Sequence, residues 1–544
     1  MNYLDWTVII IYIAAIIGLA FWLTRSQHNI RDYYLAGKKI KWWQSGLSTM
    51  ATQLGAISFI STPAFVALKK GGGLKWLGYE FGVPLGVLLA MALIIPILHR
   101  GNFISIYEYL GKRFDNTTRS FVSFLFLLGR GLATGVAVLA GGIILSTALS
   151  ISTTSAIILV GVVTILYDVL GGIRVVILSD VLQMMIVIVG ILVCGGTALR
   201  LAGWNEAWSL LSPERLQILD FQHWGISTEG EYGFWPMVIG GMFLYASYYG
   251  CDQSQVQREL TLQNVDEVRK SLLVNALGRF PIVLLYCLMG IFIGAVVVSP
   301  ESLNKMSSVM QIDRSVISQM LQNDPDRMVP LFIISYLPHG VIGFIIVAII
   351  SALMSSLDSA LNSLSAVTMR EFYQKHVNPE RDAKHYLIAS KLCTLFWGIF
   401  CVLVALSFVH FGETTRQTTI VLINAVGSLL YGPILAAFVL GMLAKGVTAK
   451  AVKIGIIAGI SANICLWLFT PVSWLWWNMS GFFVVVTTAV IFSAQKFVKE
   501  GLFLIDEEQN STVINWPAIY KMVALYFFFI LLFCYFIESM VNIK

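Results

Sequence analysis

Residues 45–65 read SGLSTMATQLGAISFISTPAF, a stretch that is apolar enough for a membrane but crowded with Gly, Ser, Thr and one Pro. A second stretch of this kind, GGMFLYASYYGCDQ, occupies residues 240–253. Helix breaks at membrane depth are tolerated only where the backbone is buried in protein or lines a cavity. Two interrupted segments at corresponding places in two halves are typical of inverted-repeat transporters with a site between them. For either stretch alone, the alternative is that small residues allow close helix packing.

The composition of the chain also predicts a membrane location. Of its 544 residues, 57% are apolar and 12% are charged, and the mean hydropathy is +0.78; a soluble domain carries about 25% charged residues. The net charge of +6 is spread over short segments without the basic stripe that binds nucleic acid. The seven cysteines lack CxxC spacing, so neither a zinc site nor a redox pair is expected. We predict an all-α integral membrane protein whose partners are the lipid bilayer and small solutes, and not nucleic acid.

About fourteen apolar runs are long enough to cross the hydrocarbon core, which takes about 20 residues. The run at 153–172 is the weakest, because Tyr167 and Asp168 interrupt its end. The predicted transmembrane helices lie near residues 6–25, 45–69, 77–99, 119–147, 153–172, 177–202, 234–252, 272–298, 340–371, 386–411, 416–443, 450–469, 473–495 and 518–541.

These helices form a single transmembrane domain, 1–544, that divides into four parts. An extra N-terminal helix lies in 1–44, two five-helix blocks occupy 45–202 and 234–443, and three C-terminal helices lie in 450–544. Because Lys and Arg favour cytoplasmic loops, we place the N-terminus outside, with loops such as 254–271 in the cytoplasm. We therefore predict a multi-pass protein of the plasma (inner) membrane, with both termini on the outer face, that functions as a monomer.

The most informative polar residues inside the predicted spans are three ionisable side chains, because a charge at membrane depth is costly and is usually functional. They are Asp180 in GGIRVVILSDVLQMM, Asp358 in ALMSSLDSALNSLS and Arg130 in FLLGRGLATG. A guanidinium in a transporter core suits bidentate capture of a carboxylate. The equally weighted alternative for Arg130 is a structural carboxylate partner on a neighbouring helix.

The run from Ser355 to Ser359 brings several oxygens together inside a segment that can span the membrane. Sodium is a hard cation and prefers hydroxyl, carboxylate and carbonyl oxygens, so we predict an ion site here. The alternative is that the Ser hydroxyls bond to their own helix and that Asp358 pairs with a Lys or Arg. Weaker candidates are Asn424, which opens a polar patch, and the three tyrosines Tyr245, Tyr248 and Tyr249, which suit either a sugar ring or plain packing.

Three motifs resemble the sodium:solute symporter family. They are GGIRVVILSDVLQ at 171–183, DQSQVQRELTLQNVDEVRKS at 252–271 and ISALMSSLDSALNSLSAVTMREFY at 350–373. The resemblance covers residues 5 to 445 and implies a five-plus-five inverted-repeat fold. It also implies Na⁺ as the coupling ion, bound at the first core helix and the eighth. By motif position, the family's common sodium site falls on Ala51, Leu54, Ala352, Ser355 and Ser356.

The sialic acid transporters of this family imply a second sodium site and a substrate arginine. The second site falls on Asp180, Ser355, Asp358 and Ser359. Asp358 stands where those relatives have a hydroxyl residue, so this site is more anionic and favours a second sodium or a titratable proton. Arg130 falls at the place of their carboxylate-binding arginine.

The sugar-transporting members imply a further set of solute contacts. Their galactose-reading positions hold Gln53, Ser58, Tyr245 and Asn424 here, and their tyrosine gate corresponds to Tyr248. Their lysine on the seventh core helix falls near Leu277, with Arg279 close by. Because the pattern is only partly preserved, a sodium–glucose assignment does not carry over directly.

These observations predict a sodium-coupled secondary active symporter that imports a small solute by alternating access. A sugar acid, such as a sialic-acid-like carboxylate, is the first choice; a neutral monosaccharide or a small monocarboxylate is the alternative. A membrane-embedded transferase is the rival from another class. It is disfavoured because the longer loops lack HExxH, a nucleophile elbow and a Gly-rich phosphate cradle. We therefore expect no enzymatic activity.

Overall fold

The structure is a computed structural model that describes residues 1–25, 27–149, 151–209, 212–227, 231–411, 419–493 and 514–542. Side chains are described for the same residues except 410–411, 419–424 and 540–542. The described chain is built of helices joined by short connections, as the composition predicts.

The longer helices, in chain order, are α1 (Tyr3–Thr24), the pair α3 (Trp42–Gln53) and α4 (Ala56–Ala67), α5 (Leu74–Arg100), α7 (Asn116–Leu149), α8 (Thr153–Ala202), α11 (Gly241–Cys251, preceded by a π-helical turn Pro236–Gly240), α13 (Val265–Val298), α17 (Val341–Val367, continued as a π-helix Thr368–Val377), α18 (Ala383–Phe411), α19 (Thr419–Leu443), α20 (Ala449–Phe469), α21 (Trp474–Ile491) and α22 (Trp516–Asn542). The shorter helices are α2 (Ile30–Leu35), α6 (Tyr107–Arg113), α9 (Trp204–Ser209), α10 (Pro213–Leu216), α12 (Gln253–Glu259), α14 (Pro300–Met310), α15 (Arg314–Asn323) and α16 (Met328–Tyr336).

Among the described residues, eleven helices are long and apolar enough to cross a membrane, or twelve if α3 and α4 form one bent span. This supports a multi-pass membrane protein. The count of about fourteen stays a prediction, and the difference comes from two places. Helix α8 covers two predicted spans, and α11 with its preceding turn is shorter than a standard span.

Helix α8 changes direction at Gly172. Its 50 residues would extend about 75 Å if straight, well beyond a hydrocarbon core of about 30 Å. Gly172 has φ 57° and ψ −164°, which divides the element into two helices. The prediction that Tyr167 and Asp168 interrupt the first span is wrong: both are helical and buried. Both have polar partners inside the bundle: Tyr167 Oη donates to Asp358, and Asn362 Nδ2 donates to Asp168 Oδ1 at 3.4 Å.

Both predicted helix interruptions are present. Helices α3 and α4 meet at a 55° bend, where Leu54 leaves helical geometry with φ −98° and ψ 54°. Helices α11 and α12 are separated by Asp252, which is extended (φ −94°, ψ 118°) and whose Oδ1 accepts from the Ser254 N–H at 2.8 Å. Each break frees backbone carbonyls and N–H groups at the centre of the bundle.

Helix α12 differs from the prediction that residues 254–271 form a cytoplasmic loop. Its side chains from Gln253 to Glu259 are at most 1% exposed. These polar groups find partners on α2, α3, α8, α13 and α17 and on the residues just before α6. The polar groups of α12 are therefore part of the interior.

Helix α17 is the most enclosed of the long helices. It packs against α1, α7 and α8, while α13 packs against α3, α4 and α8. In contrast, α1, α18 and α22 present most of their apolar side chains outward, as expected of helices that face lipid. The broken pair α3 and α4 thus packs against α8, α13 and α17, whereas α11 packs against α5 and α19.

Candidate functional site

A cavity opens at the break between α3 and α4. Its volume accessible to the centres of water molecules is about 190 Å³. Helices α5, α7, α11, α13 and α17 complete its wall. The polar and aromatic lining residues are Thr52, Gln53, Ser58, Thr62, Trp76, Tyr79, Glu80, Arg130, Thr134, Tyr245, Tyr248, Arg279, Ser356 and Tyr431. Five of the predicted solute or gate residues, namely Gln53, Ser58, Arg130, Tyr245 and Tyr248, therefore share one cavity.

Arg130 reaches this cavity from α7 with an incomplete set of partners. Its Nη1 lies 3.6 Å from Asp252 Oδ2, which is an ion pair without close hydrogen-bond geometry. Its guanidinium lies 5.8 Å from the ring centre of Tyr248. Its buried Nε has no hydrogen-bond partner in the protein. Asp252 is the structural carboxylate partner that one interpretation of Arg130 predicts. The unpaired Nε is compatible with the other interpretation, in which Arg130 binds the carboxylate of a solute.

A second cavity arginine, Arg279 on α13, is fully paired. Its Nε and Nη2 donate to the two oxygens of Glu80 at 2.8 and 2.7 Å, a bidentate arrangement. Nη2 also donates to Tyr245 Oη at 3.2 Å, and Nη1 donates to Gln53 Oε1. The sequence analysis noted Arg279 but missed Glu80, because that carboxylate lies 199 residues away in the chain. Its signal in the sequence is an acidic residue inside the predicted third span, 77–99.

Aromatic rings form another part of the cavity wall. Trp76 stacks on Tyr79 with centroids 5.3 Å apart, and Tyr79 meets Tyr245 edge-on at 5.5 Å. Tyr248 meets Tyr431 edge-on at 5.9 Å. Tyr249, by contrast, is buried and donates to Gln53 Oε1 at 2.9 Å, so it supports the polar wall from behind. The side chain of Asn424 lies outside the described residues.

The five positions predicted for the common sodium site meet at the break between α3 and α4. Ser355 Oγ donates to the carbonyls of Ala51 and Ala352 at 3.2 and 3.3 Å. Ser356 Oγ lies 3.4 Å from the carbonyl of Ala352. Leu54, together with Ala51, Ala352 and Ser355, lines a small space beside them.

Gly55 keeps this set of oxygens open. A Cβ built on Gly55 would lie 2.6 Å from Ser356 Oγ and 3.3 Å from the Ala352 carbonyl. Carbonyls at a broken helix together with two hydroxyls match the oxygen ligands of a hard cation. The residues present therefore fit Na⁺ as the transported ion.

Two of the four positions predicted for a second sodium, Asp180 and Ser359, contact a guanidinium. Arg258, on α12, lies 3.1 Å from Asp180 Oδ2 through Nη2, and the same nitrogen donates to Ser359 Oγ. Asp358 is oriented differently: its Oδ2 accepts from Tyr167 and its Oδ1 accepts from Ser359 at 3.1 Å. The sequence analysis missed Arg258, although it lies in the VQR part of the second motif.

Comparison with known proteins gives a consistent assignment. The model of the family described as "Sodium:solute symporter family" matches residues 33–459. The sodium/sialic acid symporter NanT of Aliivibrio fischeri is 26% identical over 501 residues, 89% of this chain and 91% of that protein. The human sodium/iodide cotransporter is 26% identical over 469 residues, which are 85% of this chain and 69% of that protein. The sodium/glucose cotransporter of Vibrio parahaemolyticus is 24% identical over 510 residues, 90% of each.

Among solved structures, the substrate-bound outward-open state of a Na⁺-coupled sialic acid symporter shares the fold. The TM-score is 0.78 at 23% identity, over 91% of this chain and 98% of that chain. The family model covers well over half of the chain, and its members couple sodium to solute transport. The chain therefore belongs to the sodium:solute symporter family and, as its three motifs predicted, is a sodium-coupled symporter.

Proposed function

We propose that this symporter imports a small organic anion, a sugar acid of the sialic-acid-like class, together with sodium. The observation that carries the proposal is the difference between the two cavity arginines. Glu80 neutralises Arg279 through two short hydrogen bonds, whereas Arg130 has a distant partner and an unpaired Nε. A solute carboxylate gains the most binding free energy at the guanidinium whose hydrogen bonds are incomplete, because a buried donor is costly to leave unsatisfied.

The rest of the cavity suits the polyhydroxyl body of such a solute. Gln53, Arg279 and Glu80 form a charge-balanced polar wall, and Trp76 and Tyr79 present ring faces. The same wall supports the second candidate, a neutral monosaccharide, which would use these residues without Arg130. A small monocarboxylate would use Arg130 without the polar wall.

Sodium binds first in the proposed cycle, at Ala51, Leu54, Ala352, Ser355 and Ser356, where it ties the broken α3–α4 element to α17. The solute then binds in the adjoining cavity, which shares Leu54, Ala352 and Ser356 with this set. Closure of the outer side, with Tyr248 as a gate, and opening of the inner side release both. We assign the moving parts to the two repeats, 45–202 and 234–443.

Contacts between connecting segments support the proposed topology, in which these segments share a side of the membrane. Asp115 and Lys453, in the loops 100–118 and 444–453 assigned to the cytoplasm, pair at 3.1 Å, and Arg370, at the cytoplasmic end of the predicted span 340–371, pairs with Glu108 at 2.8 Å. Segments assigned to the outer side do the same, since Asp5 near the N-terminus accepts from the Gly340 N–H at 2.7 Å. We place both termini on the outer face of the plasma (inner) membrane and propose a monomer as the functional unit.

The decisive test is sodium-driven uptake in proteoliposomes against sialic acid, a hexuronate, a neutral hexose and a short monocarboxylate. We expect uptake of a sugar acid, and we expect Arg130→Met to raise its KM. Loss of a charge-assisted pair costs about 1.5–3 kcal/mol, or roughly 10- to 150-fold. Arg130→Lys keeps the charge but loses the planar arrangement of N–H donors, so its KM should lie between that of the wild type and that of Arg130→Met.

The matched control is Arg200→Met, which changes an exposed arginine near the end of α8 and should leave KM at the wild-type value. If the transported solute is a neutral hexose, or if Arg130→Met transports the sugar acid with unchanged KM, the carboxylate proposal is wrong.

A further inference from the structure

Glu259, the last residue of α12, has a buried carboxyl group to which the proposed transport cycle gives no role. The residue is 1% exposed. Its Oε1 accepts from Ser271 Oγ on α13 at 3.0 Å and from Thr49 Oγ1 on α3 at 3.4 Å. Within the described residues its Oε2 has no hydrogen-bond partner, and neither has the buried hydroxyl of Ser45, one helical turn before Thr49 and next to the same carboxyl group. Three hydroxyl groups from two helices thus face one carboxyl group.

No cation among the described residues forms an ion pair with Glu259. The neighbouring Arg258 uses its guanidinium elsewhere: Nε donates to Ser48 Oγ and Nη2 to Thr52 Oγ1, both at 2.6 Å, and Nη2 lies 3.1 Å from Asp180 Oδ2.

The elements packed around α12 and Glu259 add few other charges. Helix α3 carries no ionisable side chain, and α11 carries only tyrosine and cysteine as titratable groups. The charged residues of the remaining neighbours make no ion pair or hydrogen bond with Glu259; they are Arg31 and Asp32 on α2, Asp358 on α17, and Asp266, Glu267, Arg269 and Lys270 in the first two turns of α13.

An ionised Glu259 would be a buried charge without a counter-ion, which costs several kcal/mol. Burial favours the neutral form of a carboxyl group. The contacts suit a neutral acid: Oε1 is the carbonyl oxygen that accepts from Ser271 and Thr49, and the unpaired Oε2 carries the proton. Burial raises the pKa of Glu259 to about 8, so the proton is bound at neutral pH.

Opening of the inner side would expose this carboxyl group to water, because it lies where α3, α12 and α13 meet. The contact between α3 and α13 is close here: a Cβ built on Gly46 would lie 2.8 Å from the carbonyl oxygen of Ser271. If α3 moves away from α12 and α13 to give sodium a path to the cytoplasm, Glu259 becomes hydrated and binds its proton less tightly.

We propose that Glu259 is a proton-binding site, occupied while α3, α12 and α13 are packed together and emptied into cytoplasmic water when these elements separate to open the inner side. The O–H bond at Oε2 breaks, and water on the inner side takes the proton. The inference rests on the orientation and the inner opening of the proposed function, and it does not depend on the identity of the solute.

The sign of the pH dependence follows from the two environments of Glu259. The closed form binds the proton up to the pKa of about 8, whereas the hydrated open form has the ordinary pKa of about 4.3. Between these values, a rise in cytoplasmic pH favours the open inner side by up to about tenfold per pH unit. Outside this range the two forms carry the same charge, and the dependence ends.

The first test is infrared spectroscopy of the purified full-length protein in a detergent without ester groups. At neutral pH, Glu259→Gln should lose part of the C=O stretching band of protonated carboxyl groups. Ser271→Ala removes a hydrogen bond to the carbonyl oxygen, so it should shift the same component to higher frequency. This second variant keeps the test valid if Glu259→Gln fails to fold. The control is Glu380→Gln, which changes an exposed glutamate and should leave the band unchanged.

The second test is sodium-driven uptake into proteoliposomes at constant outside pH. The wild-type rate should rise several-fold as the inside pH is raised from about 6 to 8. Glu259→Gln should give a flat profile, and Glu259→Asp and Glu380→Gln should keep the dependence. A carboxyl band unchanged in both Glu259→Gln and Ser271→Ala would overturn the proton site, and a wild-type rate that ignores inside pH would overturn its link to opening. Absence of sodium-driven uptake of every solute in the panel would instead count against the proposed function, while the infrared band still tests Glu259.

Discussion

At the scale of single residues, three buried arginines differ in the partners of their guanidinium groups. Arg279 is bidentate to Glu80, Arg258 is enclosed by Asp180 and three hydroxyls, and Arg130 alone of the three keeps a buried nitrogen without a partner. A fully paired guanidinium is structural or electrostatic, whereas a partly paired one is able to bind a ligand. The side-chain type is the same, and the neighbours decide its role.

Gly55 offers a test of the sodium site at the residue scale. Its φ of −70° is open to any residue, so Gly55→Ala adds only a methyl group, directed at Ser356 Oγ. Overpacking of this kind costs about 1–3 kcal/mol, so the sodium concentration for half-maximal uptake should rise by about tenfold. The control is Gly196→Ala, where a Cβ meets nothing within 4 Å. Unchanged sodium dependence in Gly55→Ala would show that this oxygen set does not bind the ion.

At the scale of elements, three helix breaks organise the molecule. The break after Gln53 borders the cavity, and the break at Asp252 lies beside the cavity residue Arg130. The break at Gly172 divides the longest helix into two. The first two leave polar backbone groups at the site. The third, at Gly172, joins two spans through a change of direction. Glycine is suited to this position because it adopts a positive φ without the strain that a Cβ causes.

Gly172→Ala should therefore destabilise the fold. An L-residue with positive φ costs about 1–2 kcal/mol, and the added Cβ would lie 2.6 Å from the carbonyl oxygen of Tyr33. We expect a lower free energy of unfolding, seen as a lower melting temperature in detergent. Gly196→Ala should leave it unchanged or raise it, since alanine favours a helix interior by about 0.5–1 kcal/mol. Equal melting temperatures for the two variants would contradict this account of the α8 break.

At the scale of the whole molecule, the number of sodium ions decides whether import of the proposed anion carries current. If only the common sodium site is used, one sodium and one monovalent anion move no net charge, and uptake into proteoliposomes should be insensitive to a potassium diffusion potential set with valinomycin. A second sodium would make uptake voltage-sensitive, because one net charge moved through 100 mV contributes about 2.3 kcal/mol, or roughly fortyfold accumulation. Inward current with the wild-type protein would mean either a neutral solute or more than one sodium per cycle. Uptake measured against the panel of charged and neutral solutes distinguishes these two explanations.

The sequence by itself determined the membrane location, the two interrupted helices, the family and several of the residues that line the cavity. These follow from hydropathy, from small and polar residues in apolar runs and from motif spacing, all of which are local along the chain. Only the tertiary structure decided which charges meet. Arg258 pairs with Asp180 from 78 residues away and Arg279 with Glu80 from 199 residues away, and residues 253–259 lie inside the protein and not in a loop. Such pairings depend on how helices pack across the bundle, and no local pattern in the chain carries that information.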